Sequence, residues 1–344
     1  MSNNPRNIAF TLLLDFLSSN KSFKSILEKK NQKISDLSKV DKNFIINLSK
    51  GILRYKKVLD FNIYNYSKIK KIDNKTLALL YIGSYQLLYC DGIPNYAAVN
   101  TTIELSKIKH RRSANFINAI LRKIEKSPFK ITYKSNNKDL KLVDFSCPRW
   151  IMKKIINDHG KLKAEKNLKS SLMVPNIWLR INLLKTDIKS IKSIFNKNNI
   201  EITQDPYLDY FLKVEKFDDN GVIKDLLNDG FLYAQNPASG HVVNLMGINI
   251  NDNLILDACS SPGGKASLIS QIIEDEKKLV CMDINNHRIN RLKNNLSSLG
   301  VSNAKYLCDN ASTYVTKKKY DKILLDLPCS SSGTIRKNPD IKWR

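Results

Sequence analysis

Residues 236–344 alternate between short apolar runs and amphipathic runs, and this alternation constrains the fold more than any other feature. The runs NLILDA, KLVCMD, AKYLCD and YDKILLDLP have the length of strands, whereas GGKASLISQII and NHRINRLKNNLSSLG have the periodicity of helices. Strands that alternate with helices form parallel sheets through right-handed crossovers, with helices on both faces. We therefore predict an α/β domain with a Rossmann-like sheet over residues 236–344.

The first 126 residues carry a different pattern, in which apolar side chains recur with the period of a helix. NIAFTLLLDFL and RRSANFINAILRKI are amphipathic, and TLALLYIGSYQLLYC is long and apolar, which is typical of a buried helix. We predict an all-helical domain over residues 1–126, a Lys-rich linker over 127–142 and a small α+β region over 143–235. A multidomain protein is expected because 344 residues exceed one ordinary core.

Each of the four predicted strands contains an aspartate at or near its end. In parallel sheets of this kind, ligands bind in the crevice beyond the carboxyl ends of the strands. After the first strand, DACSSPGGKAS provides Gly263 and Gly264, which allow a ligand to approach the backbone closely. This loop is neither G-x-G-x-x-G nor the phosphate loop G-x-x-x-x-G-K-[ST], which disfavours a dinucleotide or a nucleoside triphosphate. The aspartates are Asp257, Asp283, Asp309 and Asp326.

These aspartates favour an adenosine ligand. Asp283 lies 19 residues after Gly264, where a carboxylate can accept hydrogen bonds from both ribose hydroxyls. Asp309, at the next strand end, is placed to meet an adenine edge. The alternative for each aspartate is a helix N-cap, a common role after a strand. We predict S-adenosylmethionine as the cofactor, because an acidic pocket suits its cationic sulfonium.

The segment LLDLPCSSSG places the thiol of Cys329 three residues after Asp326. A thiol beside a methyl donor indicates chemistry at C5 of a pyrimidine, which becomes nucleophilic once a thiolate has added to C6. Asp326 is then the candidate acid near N3, and a base must remove the C5 proton before the thiol leaves. The alternative is a small buried cysteine, which is what we predict for Cys90, Cys281 and Cys308.

The longer motifs resemble those of the RNA (cytosine-5) methyltransferases, specifically the bacterial 16S ribosomal RNA enzymes of the RsmB (Fmu/Sun) type. DACSSPGGK is similar to the family's D-x-C-A-A-P-G-G-K loop, and LLDLPCSSSGTIRKNPDIKW to its D-A-P-C-S-x-x-G-x-I-R-R-x-P-D-I-K-W segment. LALLYIGSYQLLYCDGIPNYAAVNTTIELSK and FINAILRKI resemble the NusB-like RNA-binding domain of the family, and SCPRWIMKKI and WLRIN resemble the segment between. The resemblance covers essentially the whole chain.

The resemblance implies roles for individual residues. Cys329 matches the first of two family cysteines, which assists release of the product. The attacking nucleophile of the family is the second cysteine, in a T-C-S segment on a later strand, and the sequence reaches Arg344 before any such segment. We therefore expect either a fragment or a natural truncation, and in the second case Cys329 would have to act alone. The residues implied in S-adenosylmethionine binding are Cys259, Ser260, Ser261, Pro262, Gly263, Gly264, Lys265, Asp283, Asp309 and Asp326.

The charge of the chain favours a polyanionic partner. Lys and Arg number 57 against 32 for Asp and Glu, a formal net charge of +25, and such a field attracts nucleic acid. The alternatives are compositional drift towards Lys and an anionic membrane surface. The basic runs RYKK, KIKHRR and IRKNPDIKWR provide the candidate RNA contacts, which are Arg54, Lys56, Lys57, Arg111, Arg112, Arg336 and Lys337.

Other features limit the class of protein. The six cysteines are scattered without a C-x-x-C pair, which disfavours zinc and a disulfide framework and indicates a reducing cytoplasm. No apolar stretch is long enough to cross a bilayer, and the short apolar run near the start is interrupted by Asp15, so neither a membrane protein nor a signal peptide is expected.

These observations predict a cytoplasmic, monomeric enzyme that methylates cytosine C5 in 16S ribosomal RNA, on free RNA or on a partly assembled small subunit. The first alternative is a truncated protein that binds RNA and cofactor without turnover. The second is a cytosine-C5 methyltransferase for another RNA, such as transfer RNA. A nicotinamide dehydrogenase is disfavoured by the missing glycine pattern.

Overall fold

A computed structural model of the chain describes residues 4–69, 71–131, 138–217, 221–276 and 278–344. The chain packs into two compact units. The helical unit comprises residues 1–175 together with 330–344, and the two-sheet unit comprises residues 176–329. The predicted domain boundaries remain a prediction. The two packed units differ from them, because residues 330–344 pack with the helical unit and not with the parallel sheet that precedes them in sequence.

The helical unit confirms the all-helical prediction for the first part of the chain. Short 3₁₀ helices occur at Arg111–Ser113, Ser332–Thr334 and Pro339–Trp343. The α-helices are α1 Pro5–Leu17, α2 Phe23–Lys29, α3 Asn31–Ser35, α4 Lys39–Ser67, α5 Asn74–Tyr89, α6 Asn95–His110, α7 Ala114–Lys126, α8 Lys138–Asp144, α9 Arg149–His159 and α10 Lys161–Ser171. Helix α8 begins inside the predicted linker segment.

Helix α5 forms the centre of the helical unit. It begins where the Asp73 side chain accepts hydrogen bonds from the backbone N–H groups of Lys75 and Thr76, an ordinary N-cap. Its residues 76–84 are all buried, and helices α1, α4, α6 and α7 pack around them. Gly83 allows α7 to approach closely, since a Cβ atom there would lie 2.5 Å from Leu121. The apolar run therefore forms the buried core helix that its composition predicts.

The segment 330–344 is anchored in the helical unit by side chains that bond to backbone. Asp340 accepts a hydrogen bond from the Phe23 N–H at 3.2 Å, and the indole of Trp343 donates to the Leu53 carbonyl at 2.6 Å. The buried ammonium of Lys342 donates to the carbonyls of Arg54 and Ser146 at 2.8 and 2.7 Å. Burial lowers the pKa of Lys342 to about 7.

The first sheet of the two-sheet unit confirms the predicted α+β region. Its strands are β1 Ile177–Ile181, β2 Glu201–Gln204, β3 Phe211–Lys216 and β4 Leu232–Ala234, arranged antiparallel in the order β2-β3-β1-β4. Helices α11 Ile188–Lys197 and α12 Val222–Asn228 accompany it. Apolar residues of β1, β3 and α11 contribute to its core. Three consecutive residues of β1, from 179 to 181, are buried, so both faces of this strand are covered.

The second sheet is parallel, as the alternation of strands and helices predicts. Helix α13 Pro237–Leu245 precedes β5 Ile255–Asp257, α14 Gly264–Ile272, β6 Leu279–Asp283, α15 Asn286–Ser298, β7 Lys305–Cys308 and β8 Lys322–Leu324. The strand order is β7-β6-β5-β8, and every pair is parallel. The chain leaves β5 towards β6 on one side, and β8 lies on the other, so a crevice opens beyond the end of β5.

The environment of three cysteines can be compared with the prediction that they are small buried residues. Cys281 is fully buried in β6, as predicted, and Cys90 is half-buried at the end of α5. The prediction for Cys308 is wrong, because its side chain is exposed. Cys308 ends β7, which pairs only with β6 among the described strands, so less of the sheet covers it.

Candidate active site

The loop between β5 and α14 forms the floor of the site at the edge where the parallel strands end, which we call the carboxyl edge. The loop contains a cis peptide bond between Ser261 and Pro262. Gly263 follows with a φ of +101°, which L side chains rarely adopt, and a Cβ atom there would lie 2.8 Å from Leu292. Glycine is therefore required at 263, and helix α14 begins directly after it.

Asp257 is the most deeply buried acidic group of this edge. It ends β5 with 1% exposure, and desolvation raises the pKa of its carboxyl group to about 6. Within the described part of the chain, neither carboxylate oxygen of Asp257 has a hydrogen-bond partner of acceptable geometry, and nor has the hydroxyl of Ser260. A buried carboxylate in this state is costly, and a cationic ligand would stabilise it.

Asp283 holds the loop from the neighbouring strand. It ends β6 and is buried, and one carboxylate oxygen accepts a hydrogen bond from the Ser261 N–H at 3.1 Å. The other oxygen forms an ion pair with Nε of Arg288 at 3.2 Å. The Asp309 N–H, just beyond β7, donates to the Asp283 carbonyl at 3.1 Å. The structure thus places three strand ends side by side.

Asp326 and Lys265 form an ion pair across the same edge. Asp326 follows β8, and Lys265 lies in the first turn of α14, so the pair connects the two segments on either side of the crevice. Cys329 lies three residues beyond Asp326 and is exposed, whereas Cys259 is half-buried. Burial and the carboxylates of Asp283 and Asp257 raise the pKa of Cys259, which disfavours its thiolate.

Asp309 is less closely integrated than the other acidic groups. Its side chain is exposed, and one oxygen accepts a hydrogen bond from the following Asn310 N–H at 2.7 Å. The predicted site residues from 259 to 265 all belong to the loop and the first turn of α14. The loop contacts the carboxylate of Asp283 through the Ser261 N–H. The structure therefore brings the predicted cofactor residues to one edge, with Asp309 at its exposed end.

Three further residues contact this loop and were not identified from the sequence. Arg288 pairs with Asp283, as described above. Gln235 donates to the Gly264 carbonyl at 3.1 Å, and Asn295 donates to the Pro262 carbonyl at 2.6 Å. Gln235 follows a strand of the other sheet, and Asn295 looks like an ordinary polar residue on the face of a helix, so no local pattern indicates their contacts.

The predicted RNA contacts divide into exposed and internal side chains. Arg111, Arg112 and Lys337 are exposed, and Lys57 is half-buried. The prediction for Arg54 is wrong, because its side chain is 6% exposed and Nη2 donates to the carbonyl of Arg336 at 3.2 Å. Burial lowers the pKa of Arg54, so its guanidinium serves packing within the helical unit.

Two other predicted contacts are engaged within the helical unit. Lys56 forms an ion pair with Asp60 at 3.0 Å and lies over the Trp343 ring, 5.1 Å from its centroid. Arg336 donates through Nη2 to the Val174 carbonyl at 2.7 Å. Both side chains hold the segment 330–344 or its surroundings in place, which leaves Arg111, Arg112, Lys57 and Lys337 as the accessible cations of the predicted set.

The chemistry of the donor set fits an adenosine-bearing sulfonium. Asp257 offers a buried carboxylate whose oxygens have no hydrogen-bond partner of acceptable geometry among the described residues, and Asp283 offers an oxygen-rich strand end. Among the described residues, no group of three or more His, Cys, Asp or Glu side chains could hold a metal ion.

None of the described helices combines the length and apolar character that a membrane crossing requires.

Comparison with known protein families agrees with this architecture. Residues 3–126 match the NusB family, residues 147–219 match the ferredoxin-like domain of RsmF/B-type methyltransferases, and residues 246–344 match the family described as 16S rRNA methyltransferase RsmB/F. A helical NusB domain, a small ferredoxin-like domain and a parallel methyltransferase sheet together define an RNA methyltransferase. The chain thus carries a methyltransferase domain of the RsmB/F type, preceded by NusB and ferredoxin-like domains.

Curated relatives match along nearly the whole chain. The probable ribosomal RNA small subunit methyltransferase B of Bacillus subtilis (strain 168) is 27% identical, over 98% of this chain and 76% of its own length. The ribosomal RNA small subunit methyltransferase B of Photorhabdus laumondii subsp. laumondii is 28% identical, over 99% of this chain and 78% of its own length. Both are small-subunit RNA methyltransferases by name.

Among solved structures, the crystal structure of PH0851 superimposes with a TM-score of 0.75 at 20% sequence identity. The match covers 99% of this chain and 78% of that protein. At this level of identity the likeness shows a shared fold.

Proposed function

We propose that the chain transfers a methyl group from S-adenosylmethionine to C5 of a cytosine in 16S ribosomal RNA. The observation that supports this most is the position of Cys329. Its exposed thiol lies three residues after Asp326, at the carboxyl edge that also carries the buried Asp257 and Asp283. A thiol so close to a nucleoside site is needed for C5 methylation and has no part in methylation of an exocyclic amine or a hydroxyl.

S-adenosylmethionine supplies an electrophilic methyl group, and residues of this chain would hold it. Asp283 would accept hydrogen bonds from the ribose, Asp309 would lie beside the adenine, and the backbone of the loop 259–265 would contact the rest of the molecule. Asp257 would lie close to its positive charge. The carboxylate of Asp257 supports this arrangement, because neither of its oxygens has a hydrogen-bond partner of acceptable geometry among the described residues and an ionised group buried in that state is costly.

The proposed reaction requires a covalent adduct. A cysteine thiolate adds to C6 of the cytosine, C5 attacks the methyl group, a base removes the C5 proton, and the thiolate leaves C6 so that the ring regains its double bond. Asp326 would contact N3 during the addition. Cys329 is an exposed thiol at this edge, and the family resemblance assigns it to the release step.

The proposed RNA partner is a free or partly assembled small subunit. The net charge of +25 and the exposed Arg111 and Arg112 of the NusB domain support binding to phosphates. The target base must leave any stack to reach the carboxyl edge, so a single-stranded or flipped cytosine is expected. We propose that the protein acts in the cytoplasm as a monomer.

Bisulfite sequencing of ribosomal RNA from a deletion strain tests the proposal. One protected cytosine in 16S RNA should become convertible in the deletion strain, and the wild-type gene should restore its protection. Genes that carry Cys329→Ala or Asp326→Asn should fail to restore it. An unchanged 16S pattern with a newly convertible cytosine in a transfer RNA would favour the transfer RNA alternative, and unchanged patterns in both would contradict methylation of cytosine C5.

A further inference from the structure

The ferredoxin-like sheet contains a buried charge that its own core does not explain. Arg180 of β1 is 0% exposed, and within the described chain its Nε and Nη1 have no hydrogen-bond partner. Among the described residues, this guanidinium forms no ion pair with a carboxylate. Its hydrogen bond is to a neutral hydroxyl group, that of Ser267. An unpaired buried cation is costly, so its retention requires a contact that an apolar residue could not make.

That contact is with the first turn of α14, the helix that follows the proposed cofactor loop. Nη2 of Arg180 donates to the Ser267 hydroxyl at 2.6 Å, and this hydroxyl donates to the Gly264 carbonyl at 3.1 Å. A continuous chain of two hydrogen bonds therefore runs from the guanidinium to the backbone of Gly264. Because its first donor is charged, each bond in the chain is strengthened.

Neighbouring residues of the same sheet hold the same turn. Tyr233 is the cross-strand partner of Arg180, and the Arg180 guanidinium carbon lies 5.6 Å from the centroid of its ring. Gln235 donates a second hydrogen bond to the Gly264 carbonyl. A Cβ atom at Gly264 would lie 2.8 Å from Tyr233, so the absence of a side chain permits this close packing.

The hydrogen bonds continue to the other side of the loop. Asn295 of α15 donates to the Tyr233 hydroxyl at 3.3 Å and to the Pro262 carbonyl at 2.6 Å. The loop that precedes α14 is thus held between the ferredoxin-like sheet and α15. The conformation of this loop therefore depends on contacts with both sheets of the two-sheet unit, in addition to the strand β5 that precedes it.

We propose that Arg180 is a positioning residue of the methyl-donor site, which acts through Ser267 and Gly264 to hold the cofactor loop in its binding conformation. This inference rests on the proposed function, because it assigns the loop to S-adenosylmethionine. The ferredoxin-like domain then has a role in cofactor binding as well as any role in binding RNA. Ser267 and Gln235 belong to the same positioning set.

Amide hydrogen exchange of the full chain tests the structural part of the inference without any cofactor. Ser267 N–H donates to the Gly263 carbonyl at 2.8 Å, so exchange in peptides covering 262–270 reports on the held turn. Arg180→Met should increase exchange there at least about tenfold, since hydrogen bonds to charged groups contribute about 1.5–3 kcal/mol. Peptides from α5 should be unchanged, and Arg180→Lys should restore part of the protection.

Calorimetry with S-adenosylhomocysteine tests the functional part. Arg180→Met and Ser267→Ala should each raise the dissociation constant about tenfold or more, and the double variant should be little worse than either single variant, because both break one chain of bonds. Arg54→Met is the matched control. It removes another buried arginine, in the helical unit, and should lower stability without changing the dissociation constant.

The outcomes separate the inference from the proposed function. Unchanged exchange at 262–270 in Arg180→Met, or an equal increase across the whole chain, would overturn the inference. If Arg180→Met does not fold, Ser267→Ala decides by the same local exchange, since it removes a single hydroxyl. A wild-type chain that fails to bind the cofactor would overturn the proposed function, and the exchange result would still decide whether Arg180 holds the loop.

Discussion

Replacing Asp257 by asparagine should remove a pH dependence of stability that the buried carboxyl imposes on the two-sheet unit. Burial raises the pKa of Asp257 from 3.8 to about 6 in the folded state. The folded protein therefore binds this proton more tightly than the unfolded chain does. The associated stabilisation is complete below about pH 4 and is lost as pH rises through about 6.

The expected magnitude follows from the pKa difference. A shift of about two units corresponds to about 3 kcal/mol, at 1.36 kcal/mol for each unit. The group is almost fully buried, so little of this is lost to screening by solvent. Between pH 4 and pH 7 the free energy of unfolding of the wild type should therefore fall by about 2 kcal/mol relative to Asp257→Asn, because the unfolded carboxyl is already more than half ionised at pH 4.

The measurement must report on the two-sheet unit separately. Of the three tryptophans in the chain, Trp178 is the one in this unit, so ¹⁹F NMR of protein labelled with 5-fluorotryptophan can follow its unfolding in urea. The assay compares the two proteins at pH 4, 5, 6 and 7. Parallel pH profiles would refute the reasoning, because they would mean that Asp257 titrates alike in the folded and unfolded states.

Three further predictions concern other charged groups. Asp283→Ala should raise the dissociation constant of S-adenosylmethionine about tenfold or more in calorimetry, because the ribose loses its acceptor; wild-type affinity would refute the ribose assignment. Replacing Arg111 and Arg112 by alanine should weaken RNA binding and reduce the slope of log K against log salt by about 1.5 in filter-binding titrations; an unchanged slope would argue against phosphate contacts. Burial lowers the pKa of Lys342 to about 7, so the wild type should lose stability as pH falls from about 10 to 7. Lys342→Met should abolish this loss, and parallel pH profiles of the two proteins in urea titrations would contradict the prediction.

Periodicity is sufficient to predict the helical domain, the small α+β region and the parallel sheet, whereas it does not predict the antiparallel pairing within the α+β region. It is also sufficient to place the aspartates, because parallel strands must end at one edge whatever their order. Asp257 and Asp283 can therefore be assigned to one site by sequence alone, and the parallel pairing of β5 with β6 places them at the same edge. The run YDKILLDLP is predicted to contain a strand, and in the structure that strand is β8, which spans Lys322–Leu324 and pairs with β5 alone among the described strands.

The features that the sequence does not indicate depend on contacts between distant residues. Arg54 and Lys342 occur in basic runs that resemble solvated surfaces, yet Lys342 donates to the Arg54 carbonyl in a buried interface within the helical unit. Arg180 lies between Leu179 and Ile181, which belong to the core of the first sheet, so alternation alone places its side chain on the opposite face. Neither local propensity nor spacing indicates that a guanidinium there bonds to Ser267, 87 residues later.

The central claim is that the methyl donor binds at the carboxyl edge, beside the thiol of Cys329. A crystal structure of the chain with bound S-adenosylhomocysteine tests it most directly. The account predicts the ribose against Asp283, the adenine near Asp309 and the sulfur within the space bordered by Asp326 and Cys329. A nucleoside bound elsewhere, or a Cys329 side chain directed away from the sulfur, would contradict it.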